Sequence, residues 1–206
     1  MVTKEDSKIA VWSAVGTAVC VFTFAIADYS ASWEMLPYAS SMGIAFCYLT
    51  LTVANERFSS SIYARLATTF AVVYCTMECI VYYTQLSFLR MGSPSPEALS
   101  ILKYTPGSAF FAIEILGYFV MSLSVLCLGL TITDGLLRKL FVGMGIWGGT
   151  CIVVPLLPFM YESDSSSSAD AFGFMASFLW AVLFFPLMIM LARYYYALTA
   201  SSCKID

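Results

Sequence analysis

Long apolar runs broken by short polar stretches set the pattern of this chain. Crossing about 30 Å of hydrocarbon takes about 20 mostly apolar residues at 1.5 Å per residue. Six runs reach that length: residues 9–28, 35–54, 64–87, 108–132, 138–160 and 171–194. The connections are too short for a separate soluble module. The pattern predicts an all-α polytopic bundle of six transmembrane helices in a single transmembrane domain over residues 1–206.

Composition agrees. The 206 residues are 60% hydrophobic and 11% charged, against about 25% charged in a soluble domain, and the mean hydropathy is +0.83. Lys4 and Lys8 before the first run, with Ala25 and Ala27 at its end, raise the question of a cleaved signal peptide. The run from Ile9 to Ala27 exceeds the 7–15 residues of a signal h-region, so a retained helix is expected. Lys and Arg are held back on the cytoplasmic side. With the N-terminus inside, that side carries Lys4, Lys8, Arg57, Arg65, Arg138, Lys139, Arg193 and Lys204, and the outer side only Arg90 and Lys103. Both termini are therefore expected in the cytoplasm. Asp28, Glu34, Glu97, Glu162, Asp164 and Asp170 fall outside and make that face acidic.

The seven cysteines avoid the outer loops, so no disulfide framework is implied. No histidine is present, which excludes bis-histidine haem, common zinc hydrolase sites and Ser-His or Cys-His nucleophiles within the chain. No cofactor is called for, and no nucleic-acid partner is expected. Residues 90–107 form the longest connection. Ser95, Pro96 and Glu97 can start a short interfacial helix there, a lid over an outer cavity, with a plain spacer as the simpler alternative. Thr105-Pro106-Gly107 reads as a turn. Gly145 and Gly149, spaced GxxxG, predict close packing of the fifth span, and Pro186 a bend in the sixth.

Two acids lie deep in the apolar runs. Glu78 is ten residues, or about 15 Å, below the outer end of the third span, and Glu114 about 9 Å below that of the fourth. By the same rise Tyr82 is level with Glu114 and Tyr118 with Glu78. Tyr74, Cys75, Glu78, Tyr82 and Gln85 make one stripe of the third helix. Glu114, Gly117, Tyr118, Met121 and Ser122 make one of the fourth, where Gly117 leaves room for a neighbour. A charge in hydrocarbon costs at least about 2.5–3.5 kcal/mol, so both acids must face the protein interior. A polar seam between the third and fourth spans is expected, in the outer half of the membrane, with Tyr74, Glu78, Tyr82, Gln85, Glu114, Tyr118 and Ser122 as candidate ligand-binding residues. No Lys or Arg is placed at that depth, and desolvation with mutual repulsion favours the protonated form of at least one acid. Cys75 and Cys79, one turn apart, suggest a soft-metal pair, but two ligands on one helix leave such a site half built.

The stretch Glu114-x-x-Gly117-Tyr118, followed by Met121-Ser122-Leu123-Ser124, resembles an uncharacterised family of small six-span membrane proteins of bacteria and archaea. The resemblance covers about residues 110–124, implies six spans and brings no activity with it.

Three classes of function stay open. The seam can bind or transport a proton, a cation or an amphipathic small molecule. The chain can instead be a structural subunit bound to other membrane subunits, its acids only joining helices. An intramembrane enzyme using the two glutamates as acid and base on a lipid is the third, although no nucleophile elbow, metal motif or phosphate loop accompanies them.

Overall fold

The computed structural model describes residues 3–29, 35–88, 95–103, 108–156 and 166–202, with side chains given outside 28–29, 152–156, 166–178 and 201–202. All regular structure among them is α-helical, in seven helices: α1 (Lys4–Tyr29), α2 (Leu36–Phe58), α3 (Ile62–Phe88), α4 (Pro96–Leu102), α5 (Ala109–Thr131), α6 (Gly135–Leu156) and α7 (Ser166–Ser202). Five segments, Lys4–Ala27, Leu36–Phe58, Ile62–Phe88, Ala109–Thr131 and Leu179–Ala200, are long and apolar enough to cross a membrane. The composition and these five segments make this a helical membrane protein.

Polar residues at the breaks in the hydropathy pattern start the helices, because the first turn leaves backbone N–H groups without intrahelical acceptors. Thr3 and Asp6 form a reciprocal capping box at α1, with Asp6 N donating to Thr3 Oγ1 at 3.1 Å and Thr3 N to Asp6 Oδ2 at 2.8 Å. Ser108 Oγ accepts from Phe111 N at 3.1 Å to open α5, and Asp134 Oδ1 from Leu137 N at 2.7 Å to open α6. Ser95 Oγ accepts from Ala98 N at 3.2 Å. The connection after α3 therefore holds a short helix, α4, rather than a plain spacer. The turn expected at Thr105-Pro106-Gly107 lies outside the described residues. Helix α7 begins at Ser166, ahead of the apolar run 171–194. Helix α7 also runs through Pro186 without interruption.

The long helices form a ring. Each packs on its neighbour in the chain, α1 on α2, α2 on α3, α3 on α5, α5 on α6 and α6 on α7, and α7 returns to α1. On α1, Ala10, Ala14 and Ala18 form a small-residue stripe at intervals of four, all fully buried, and α1 packs on α7. There Ser7 Oγ reaches Thr199 Oγ1 and the Tyr195 carbonyl, so the start of α1 lies beside the end of α7. Gly145 brings α6 against α5: a Cβ at that position would stand 2.6 Å from Leu126 N. The core contains Tyr48, Tyr74, Phe141, Phe184, Leu128, Met188 and Tyr195, all essentially inaccessible. Threonines on the outward surface, Thr23, Thr50, Thr69, Thr76 and Thr84 among them, donate to carbonyls four residues back in their own helices. Each hydroxyl thus meets lipid already satisfied.

The acidic seam between α3 and α5

Helix period puts Tyr74, Glu78, Tyr82 and Gln85 on one buried face of α3, at 1%, 0%, 2% and 4% exposure. Glu114 faces them from α5 at 3% exposure. The Tyr82 hydroxyl donates to Glu114 Oε1 and lies 3.2 Å from the Tyr118 hydroxyl. One turn deeper, Glu78 rests on Gly117, where a Cβ would stand 2.6 Å from Glu78 Oε1. Any other residue at 117 would push the acid or the helix aside. The register expected from helix rise, with each acid opposite a tyrosine of the facing helix, places these four side chains in one cluster.

Hydrogen bonding in the cluster is incomplete. Neither oxygen of Glu78 makes a hydrogen bond of good geometry, and the Tyr74 hydroxyl and Ser41 Oγ are in the same position. The Tyr82 hydroxyl also approaches Glu78, and Ser41 approaches Tyr118, but both fall short of hydrogen-bonding geometry. Buried polar groups normally find partners, and each exception calls for an explanation. No compensating cation is near: every described Lys and Arg side chain is exposed, and the ion pair among the described residues joins Lys8 to Glu5 at the start of α1.

Helix α2 contributes a third wall. The Tyr38 ring packs on Tyr82 at 5.8 Å between centroids. Tyr38 and Ser41, outside the two stripes read from the sequence, thus reach the tyrosines that flank the acids. Inward, Tyr118, Tyr74 and Tyr48 follow one another at 6.1 and 6.4 Å between centroids. The Tyr48 hydroxyl then donates to Ser124 Oγ at 3.0 Å, and Ser124 to the Ala67 carbonyl at 2.6 Å. The Trp180 ring of α7 closes over Tyr118 at 5.8 Å.

Two of the seven candidate residues stand apart. Gln85, though buried, bonds away from the acids, its Nε2 donating to the Leu102 carbonyl at 2.5 Å and so tying α3 to the end of α4. Ser122 points to α6: it donates to the Tyr118 carbonyl at 2.9 Å and packs on Gly148. Cys75 and Cys79 gain no further ligands, and among the described residues no three acids, cysteines or histidines gather as a metal site. The seam itself is shut, with its acids at most 3% exposed; a shallow surface groove lies elsewhere, between α1 and α2, near Lys8, Trp12 and Phe46.

A second polar cluster, at the opposite end of the bundle, escaped the sequence reading. Tyr195 Oη donates to Asn55 Oδ1 at 2.7 Å and Asn55 Nδ2 to Thr131 Oγ1 at 3.1 Å, tying α7, α2 and α5 together. The signal was Asn55 lying seven residues after Tyr48, on the same buried stripe of α2.

Comparison with protein-family models, curated proteins and solved structures finds no match to this chain. Its function must be argued from the seam.

Proposed function

We propose that this chain is a six-span integral membrane protein with cytoplasmic termini, and that it binds a small polar ligand in the acidic seam between α3 and α5. The candidates are a proton, a cation or the polar head of an amphipathic molecule. Glu78 carries the reading. It is a fully buried carboxylate, seated on a glycine beside a second acid, with neither oxygen in a good hydrogen bond. Intramembrane acids are costly, and by default they mark a functional site.

The 22 residues of α6 supply the sixth span. Ser7 beside Thr199 brings both ends of the chain to one side. The excess of Lys and Arg on that side favours the cytoplasm, which sets the seam in the outer half. The resemblance to small six-span proteins around Glu114, Gly117 and Tyr118 belongs to the same proposal. Helices α3 and α5 run unbroken through the acids, whereas alternating-access sites are typically built from broken helices. Binding is therefore favoured over full transport. A subunit role is less supported, because Gly129, Gly145 and Gly148 already serve contacts within the chain. An enzyme acting on lipid would need room that the closed seam lacks.

Native mass spectrometry after gentle detergent extraction tests the reading, together with thermal unfolding over a panel of cations. The wild-type chain should retain a ligand or be stabilised by one, and the Glu78→Gln/Glu114→Gln variant should lose that response. Identical spectra and equal ligand response in the two proteins would reduce the acids to helix contacts.

A further inference from the structure

We propose that the ligand of the seam is a single proton, held in common by Glu78 and Glu114 across Tyr82. This rests on the binding reading above and narrows it.

Three observations carry it. First, the two acids form a like-charged pair without a countercharge. The other titratable groups around them are Tyr74, Cys75, Cys79 and Tyr82 on α3, Tyr118 on α5 and Tyr38 on α2, none of which is a cation. Two carboxylates in one desolvated site cannot both stay ionised. Second, the Tyr82 hydroxyl bonds Glu114 and also approaches Glu78. A proton on either acid lies within a short rearrangement of the other, and the two Glu78 oxygens supply acceptors that are not yet used.

Third, the larger ligands do not fit. Ca²⁺ takes six to eight oxygens and Mg²⁺ near-octahedral geometry, and membrane ion sites commonly add carbonyls from unwound helix. Here the carbonyls beside both acids are committed to unbroken helix. An amphipathic molecule needs an opening, and exposures of 0% and 3% leave none. A proton needs neither coordination shell nor volume.

Infrared spectroscopy of the full chain in phosphatidylcholine vesicles at pH 7 in D₂O provides the test, since exposed carboxyls are ionised there. The expected result is a carboxylic-acid carbonyl band that is indifferent to exchange of Na⁺ for K⁺ or Ca²⁺ and missing from Glu78→Gln/Glu114→Gln. Tyr82→Phe should keep the band but shift it, because one hydrogen bond to the pair is lost; this variant decides the matter if the double variant fails to fold. Absence of the band from the wild-type chain, its survival in the double variant, its displacement by a metal cation or its indifference to Tyr82→Phe would each overturn the proposal. If the band is absent while a cation or lipid still stabilises only the wild-type protein, the seam binds something else and the broader reading stands. If neither appears, both fall.

Discussion

Gly117 and Glu78 occupy facing positions so close that a methyl group on the glycine would stand 2.6 Å from the carboxylate oxygen. The α3–α5 distance at the acids is thus set by the absence of one side chain. Gly117→Ala should destabilise the protein by about 1–3 kcal/mol, the usual cost of overpacking, and alter any ligand response of the seam. Gly149→Ala, whose nearest atom would be 3.8 Å away, is the control and should be nearly silent. Thermal unfolding of both variants in one detergent makes the comparison.

The α5–α6 contact gives a sharper contrast. A Cβ at Gly145 meets backbone, Leu126 N at 2.6 Å, while at Gly143 nothing lies within 4 Å. Backbone cannot rotate away as a carboxylate can. Gly145→Ala should therefore cost more than Gly117→Ala and impair assembly of α6, with Gly143→Ala neutral or slightly stabilising, as removal of a helical glycine implies. Unfolding by sodium dodecyl sulfate titration should rank the three variants in that order.

Asn55 joins three helices through Tyr195 and Thr131. A double-mutant cycle with Asn55→Ala and Tyr195→Phe should return a coupling of about 0.6 kcal/mol, and no more than about 1.7, the range found for interhelical bonds within a membrane bundle. Additive effects would mean that the 2.7 Å bond contributes nothing net.

Helix α4 should respond to acid. Hydrogen bonds from its own backbone N–H and from Ser95 hold the Glu97 carboxyl below the usual glutamate range. A depressed folded value means that the stabilisation is complete above the unfolded value and is lost as pH falls through the folded one. Protection of the amides in the first turn of α4 against exchange, relative to the unstructured chain at the same pH, should fall on acidification across that window. Ser95→Ala should weaken the pH dependence without abolishing it, because the bond from the Glu97 backbone remains, and should lower protection at all pH values through loss of the cap to Ala98.

Much of the seam was readable because helical rise and period are nearly invariant: Tyr82 pairs with Glu114 as counting from the helix ends requires. That inference needed one assumption, that the third and fourth spans are neighbours, and the ring order supplies it. What escaped depends on rotation and on distant partners. Ser122 shares the Glu114 stripe, yet it packs on Gly148 of α6. Tyr38 joins the cluster only through the packing of α2 on α3, which brings its ring to Tyr82. Asn55 lies just past the apolar run 35–54, beside Glu56 and Arg57, although its helix continues to Phe58.

The ring is closed by its first and last helices, through bonds that span 188 and 192 residues of sequence. A ribosome delivers α1 first and α7 last, so the buried alanine stripe of α1 must wait in lipid, or against an insertion chaperone, while the rest of the chain is made. Closing so long a loop comes late, since its entropy is paid before the contacts repay it. The nascent bundle is a cleft until its final helix arrives, and a chain truncated before α7 presents that cleft to quality-control proteases.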